Sequence, residues 1–345
     1  MTIIKAKSSR AEVAYSLVCD LQRRFVTGLN KISDQFGNGN PFMPIEWLRD
    51  DGRHGGGMRL MATDNTLFNR GSVNISQVQY DDDESRKLAS ASAISTIIHP
   101  LNPLAPSVHI HISWTEMKDG SAYWRVMADL NPSNDCGSDQ EQFARQLRLA
   151  APEEYDEAAS QGDCYFYIPV LGRHRGATHF YLENYYSDDF NQDLNLAKTV
   201  GEAAIDTYCE ILFSALETRQ TATTENLRIQ LDYHTLYFFQ VLTLDRGTTS
   251  GLLVHDQNDI GILASLPSHV NRVLLSAWVE KMPAPQHQLL QGILDCLPVT
   301  DICLVDDDTK QALANCLRQH YRLHPEAISL QASGHVIPST VSNHR

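Results

Sequence analysis

Histidines recur two residues apart at His109 and His111, and Ser113 completes the series. They follow a loop punctuated by Pro100, Pro103 and Pro106. In an extended strand a two-residue period places all three side chains on one face. Imidazoles grouped in this way support two chemistries. They form a hydrogen-bonded pair that holds or relays a proton, or they supply nitrogen ligands to a transition metal.

The flanking sequence provides elements able to position such a strand. From Arg10 to Phe36 the apolar residues Val13, Leu17, Leu21, Phe25, Leu29 and Ile32 recur at intervals of three and four, which predicts a long amphipathic helix covering a sheet face. Helical spacing returns over Glu141–Ala150, Leu194–Leu216 and Thr309–Tyr321. Strands are predicted at Ala93–Ile98, Ser107–Glu116, Ala122–Met127, Thr178–Leu182, Thr235–Leu244, Gly251–Val254 and Asp259–Ala264 from their β-branched and aromatic content. Lys118-Asp119-Gly120 reads as a hairpin turn. The glycine loop Gly52–Gly57 runs into Met58-Arg59-Leu60-Met61, which reads as a strand with no Gly-Lys-Ser/Thr, so it predicts close backbone approach and not phosphate binding. Hairpin-linked strands between long helices give an α+β fold with a largely antiparallel sheet.

Composition narrows the function classes. The 42 acidic residues outnumber the 28 basic ones, for a net charge of −14, and the longest basic run is Arg23-Arg24, which argues against a nucleic-acid partner. An anionic ligand must therefore be drawn in by local arginines. No apolar run approaches the ~20 residues that span a bilayer, and the first residues lack a signal-peptide core, so a cytoplasmic protein is expected. The 7 cysteines contain no C-x-x-C pair and read as small buried apolar residues.

The segment Ile97-Ile98-His99-Pro100-Leu101-Asn102-Pro103-Leu104-Ala105-Pro106-Ser107-Val108-His109 resembles the signature of the aerobic, oxygen-dependent coproporphyrinogen III oxidases, V-I-H-P-R-N-P-x-x-P-T-V-H-x-N-x-R. Further matches follow in order: Gly55-Gly56-Gly57-Met58-Arg59, Gly71-Ser72-Val73-Asn74, Ala128-Asp129-Leu130-Asn131-Pro132, Arg175-Gly176, Leu244-Asp245-Arg246-Gly247-Thr248 and Ile262-Leu263-Ala264-Ser265-Leu266-Pro267. The resemblance implies a flat antiparallel sheet sandwiched by helices, a homodimer, dioxygen as oxidant and no organic cofactor. The matches span about residues 45 to 280, and residues 1–283 are expected to form one domain of this kind. A helical extension follows at 284–331, and a disordered tail is expected at 332–345. By the same resemblance Asp129 is a base or acceptor of N–H groups, His109 a proton-relay group and Arg175 the arginine that grips a carboxylate. Ser95, Asn102, Asn74, His111, Ser113 and Arg246 are the further substrate-binding positions.

The departures are concentrated in the same cleft. Ser113 stands where the family has a strand arginine, and His111 where it has asparagine. Arg125-Val126-Met127 replaces a glycine run, and Phe239 and Val241 replace glutamate and asparagine. Serine cannot supply a bidentate carboxylate clamp, so a substrate with four propionates is expected to bind poorly. If Arg175 faces the cleft on an extended strand, so do His179, Tyr181 and Glu183. His109, His111 and His179 then become candidate ligands for iron, copper, manganese or zinc.

The leading expectation is an oxidase or oxidative decarboxylase, a paralogue acting on a different small carboxylate. The alternatives are a genuine coproporphyrinogen III oxidase of haem biosynthesis, a metal-dependent oxygenase using the three histidines, and a non-catalytic tetrapyrrole-binding module.

Overall fold

A computed structural model describes residues 3–255 and 257–336. Ser8 caps the first helix, α1 (Ser9–Phe36), by accepting from the Ala11 amide, and its apolar stripe is buried as the spacing predicts. Strands β1 (Met43–Leu48), β2 (Gly55–Met61), β3 (Phe68–Gln79), β4 (Leu88–Pro100), β5 (Ser107–Met117) and β6 (Ala122–Asn131) follow. Helices α2 (Gly137–Ala150) and α3 (Tyr155–Phe166) and the short strands β7 (Tyr167–Ile168) and β8 (Arg173–His174) lead to β9 (Thr178–Tyr185). Then come α4 (Phe190–Thr218), α5 (Thr224–Thr243), α6 (Arg246–Val254) and α7 (Asp259–Ile262). The remaining elements are β10 (His269–Asn271), α8 (Arg272–Ser276), α9 (Gln286–Asp295), β11 (Ile302–Leu304) and α10 (Asp307–Leu323).

Seven strands form one sheet in the order β1-β2-β3-β4-β5-β6-β9, and every neighbouring pair is antiparallel. The fold is therefore α+β. Val108, Ile110, Ile112 and Trp114 of β5 point to one face and have no exposed surface; they join a core shared with α1, α2 and α4. A second core is built from α5 to α10 and reaches the other face of the sheet through Ile97. Residues beyond 284 belong to this second core, because Leu289, Leu290, Ile293, Leu313 and Leu317 pack with Leu236 and Phe239.

The glycine loop does permit close approach. A Cβ at Gly57 would lie 2.6 Å from the Trp47 indole nitrogen and 2.2 Å from the Ile75 carbonyl. Between β5 and β6, Gly120 has φ +90° and Asp119 accepts from the Ser121 amide, which forms the predicted hairpin turn.

Three predicted strands are helices. Thr235–Leu244 lies in α5, Gly251–Val254 in α6, and Asp259–Ala264 in α7 with the 3-10 turn that follows it. Every residue from 233 to 243 is buried, so no polar face marks the 3.6 period, and the aromatic and β-branched content mimics a strand. The cysteines also differ from expectation: Cys303 is buried, Cys164 is exposed, and the others are partly exposed. Of the tail expected to be disordered, Ala332 is tied by its amide to the Leu244 carbonyl, and residues 337–345 lie outside the described residues. Among the described residues no helix is long and apolar enough to cross a membrane.

Candidate active site

Cross-strand pairing brings the sequence candidates together. His109 pairs with Asp129, and Asp129 with His179; His111 pairs with Met127 and Ser95, and Ser113 with Arg125. Directly paired residues share a face, so this side of the sheet presents a polar surface. A cavity of about 300 Å³ lies between it and α5–α6. Its lining includes Asn74, Ser95, His109, His111, Ser113, Arg175 and Arg246.

Asp129 is not itself on the cavity wall; it is completely buried behind His109 and Arg175. One carboxylate oxygen lies 2.9 Å from His109 Nδ1. The other lies 3.0 Å from Arg175 Nη2 and accepts from the Asn131 amide at 2.7 Å. Burial alone would raise the Asp129 carboxyl. The Arg175 guanidinium, His109 and Asn131 more than offset it and hold the group at about 2. With both oxygens occupied, Asp129 cannot reach a ligand, which corrects its expected role as a direct base. An ionised carboxylate only accepts, so His109 carries its proton on Nδ1 and turns Nε2 toward the cavity.

Arg175 is 2% exposed, and its guanidinium lies over the rings of Phe166 and Tyr237 at 4.4 and 5.0 Å. Its Nε and Nη1 have no hydrogen-bond partner among the described residues. The residue after it fixes its placement: Gly176 has φ +81°, and a Cβ there would stand 2.3 Å from Asn131 Oδ1.

The departures from the family pattern form a second cluster. Arg125, opposite Ser113, makes a two-pronged ion pair with Glu183 at 2.6 and 2.9 Å, and Tyr181 donates its hydroxyl to the same carboxylate. His111 lies 3.1 Å from Ser113 Oγ; burial first, then Arg125 and His109, push its imidazole well below its ordinary range, so it is neutral.

One candidate leaves the site, and a second is committed within it. Asn102 donates to the Arg219 carbonyl and accepts from the Leu104 amide, both at 2.9 Å, and so holds a turn. Asn74 does line the cavity, but its oxygen is taken by the Trp47 indole at 3.1 Å. His179 shares the face, yet both ring nitrogens meet oxygens at 2.8 Å, those of Asp163 and the Arg175 carbonyl. Both nitrogens are thus turned to protein oxygens, and among the described residues no three His, Cys, Asp or Glu side chains are grouped to hold a metal. The three-histidine set does not fit a metal ion.

Sequence reasoning overlooked Tyr165, Tyr237, Gln240 and Asp245, all of which line the cavity. Asp245 caps α6 by accepting from the Thr248 amide and also accepts from the Tyr165 hydroxyl at 2.8 Å. The Asp-Arg-Gly-Thr string contained the signal. Tyr237, Gln240 and Val241 share one face of α5 at i, i+3 and i+4, a relation hidden by the strand reading.

The sequence profile described as coproporphyrinogen III oxidase matches residues 14–290. The mitochondrial oxygen-dependent coproporphyrinogen-III oxidase of Rattus norvegicus is 28% identical over 281 residues, covering 74% of this chain and 61% of the rat protein. The chain thus spans about three-fifths of that relative's length. The Rickettsia akari oxygen-dependent coproporphyrinogen-III oxidase is 27% identical over 281 residues, 76% of this chain and 99% of its own length. The Drosophila melanogaster protein of the same name is 26% identical over 302 residues, 81% of this chain and 74% of its own.

Proposed function

The chain belongs to the coproporphyrinogen III oxidase family, and from that premise we propose that it is a dioxygen-dependent oxidative decarboxylase acting on a smaller substrate with fewer carboxylates. The observation that carries the reading is the inventory of arginine donors around the cavity. Arg175 is ion-paired with Asp129 through Nη2 yet keeps Nε and Nη1 without a partner among the described residues, whereas Arg125 is held at two points by Glu183. A cavity of about 300 Å³ also lies at the small end of the ~300–1,000 Å³ common for ligand sites.

In this reading the substrate carboxylate meets Arg175 Nε and Nη1, and His109 Nε2 accepts a proton from the substrate. Asp129 is a positioning residue for both. A propionate side chain loses carbon dioxide, one proton and two electrons to become a vinyl group. Dioxygen takes the two electrons, that proton and a second proton from solvent to become hydrogen peroxide. An electron-rich ring on the substrate supplies the electrons, so no organic cofactor is required. Tyr237, Tyr181 and Tyr165 give the ring an aromatic wall. A cytoplasmic homodimer, expected from sequence and resemblance, completes the reading; light scattering of the purified chain tests the dimer.

The second reading, a coproporphyrinogen III oxidase in its own right, is favoured by the near-complete coverage of the Rickettsia akari relative. Anaerobically prepared coproporphyrinogen III and pyrrole-3-propanoate, each mixed with oxygen, separate the two. Oxygen uptake and carbon dioxide release with pyrrole-3-propanoate, and porphyrinogen turnover well below about 1 per second, are expected. Porphyrinogen turnover at or above that rate overturns the first reading in favour of the second.

A further inference from the structure

The family profile ends at residue 290, but the chain continues past it and returns to the cavity wall. Ala332 donates its amide to the Leu244 carbonyl at 2.9 Å. Its own carbonyl accepts from Arg246 Nε at 2.6 Å, and the Gln331 carbonyl accepts from Arg246 Nη2 at 3.4 Å. The Gln331 side chain is 5% exposed and donates to Thr249 Oγ1 at 2.5 Å and to the Tyr321 hydroxyl at 3.1 Å. The Ala332 methyl packs against Met127, Tyr165, Phe166 and Tyr181, three of which line the cavity. Further along, His335 meets Glu157 at 3.0 Å and Ser160 at 3.3 Å on α3.

Arg246 is a cavity-lining arginine, 7% exposed, and it would be a second anion clamp if its donors faced a ligand. Here Nε and Nη2 each donate to a main-chain carbonyl. We propose that the segment Gln331–Val336 is a specificity strap: it holds Arg246 away from the ligand, backs the tyrosine wall, and so restricts the cavity to substrates bearing one carboxylate. The inference rests on the carboxylate-binding reading above and deepens it. A guanidinium donating to two neutral carbonyls keeps its charge, so the strap leaves a latent cation one hydrogen-bond exchange from the cavity. Releasing the strap would turn a one-clamp site into a two-clamp site.

The test uses the full chain with Ala332→Pro, which deletes the amide that anchors the strap, and with Gln331→Ala, which deletes its buried side-chain contacts. Hydrogen exchange at residues 331–336 reports release, and circular dichroism confirms folding. The probes are pyrrole-3-propanoate and pyrrole-3,4-dipropanoate, with affinities measured by calorimetry without oxygen. In the wild-type chain the monocarboxylate is expected to bind at least as tightly as the dicarboxylate and to depend on Arg175. In a released variant the preference for the dicarboxylate should rise about tenfold or more, and Arg246→Gln in that background should abolish the rise. An unchanged preference in a variant whose strap is released overturns the strap while leaving the carboxylate-binding reading in place. A wild-type chain that binds neither probe, or whose binding ignores Arg175→Lys, overturns that reading and the strap with it. If Ala332→Pro fails to fold, Gln331→Ala decides.

Discussion

One strand, β5, serves two unlike regions of this molecule. Val108, Ile110, Ile112 and Trp114 are fully buried against α1 and α4, while His109, His111, Ser113 and Thr115, interleaved with them, line the cavity. Burying each large apolar side chain contributes roughly 1.5–3 kcal/mol. The cavity side works against stability, since Arg175 and Gln240 have buried donors without partners among the described residues, and an unmet buried donor costs about 1–3 kcal/mol. The comparison teaches that the apolar face supplies the stability with which the chain maintains a polar site whose donors are not all met within the protein. Because the two sets alternate on one backbone, the site inherits the rigidity of the core.

The largest expected effect separates the two faces by chemistry. His109→Asn retains a donor for Asp129 but deletes the nitrogen that faces the cavity. Activity on the true substrate should fall ~100- to 10,000-fold, with stability changed by less than about 1 kcal/mol. Steady-state kinetics beside a denaturant titration measures both, and a large loss of stability with activity intact would break the division. One residue on, Ile110→Ala should do the reverse. A cavity in the α1–α4 core costs ~2–5 kcal/mol, while kcat per folded molecule stays near wild type.

A smaller effect sharpens the comparison through pH. His234 is buried, His111 is half-buried at the cavity wall, and both are neutral; burial, Arg125 and His109 lower His111 well below its ordinary range, and burial and His269 lower His234 to about 3. A depressed folded-state value means that the stabilising contribution is complete above the unfolded value near 6.5 and is lost as the pH falls below it. Stability should therefore decline from about pH 6.5 downward, by up to ~1.4 kcal/mol per pH unit for each such histidine. Asp129, held at about 2, adds a later loss between roughly pH 4 and pH 2. His111→Asn should remove one histidine's share of the slope, whereas Ile110→Ala should lower the whole curve and leave the slope alone. Urea titrations at half-unit pH steps distinguish the two; an unchanged slope in His111→Asn would show that this imidazole is not held as a neutral group.

How much of this was legible depended on whether a residue's neighbours are close in sequence. The period of α1 and the alternation of β5 are local patterns, and both appear where the spacing puts them. The resemblance singles out His109 and Asp129 separately, and no local pattern pairs them. Only the β5–β6 register shows Asp129 locked behind His109 with both oxygens taken. The α5 helix was misread because burial on all sides erases the amphipathic signal; its true marker was the Thr223–Asn226 capping box, which was overlooked. The strap on Arg246 joins residues 86 positions apart, beyond any local pattern.

The smallest expected effect lies where resemblance and geometry disagree, at Asn102. Resemblance makes it a substrate-binding residue on the cavity side, but both of its side-chain groups are committed elsewhere. The amide nitrogen donates to the Arg219 carbonyl at the end of α4, and the oxygen accepts from the Leu104 amide within its own turn. The first bond ties the β4–β5 loop to a helix on the apolar side of the sheet, so Asn102 belongs to the stabilising region. Asn102→Ala removes two ordinary hydrogen bonds in a partly exposed turn and should cost ~1–2 kcal/mol, with Leu104 N–H and the Arg219 carbonyl left to find water. KM and kcat should be unchanged, because no part of the side chain reaches the cavity. A raised KM with unaltered stability would move the border between the two regions and place Asn102 with His109 and Arg175.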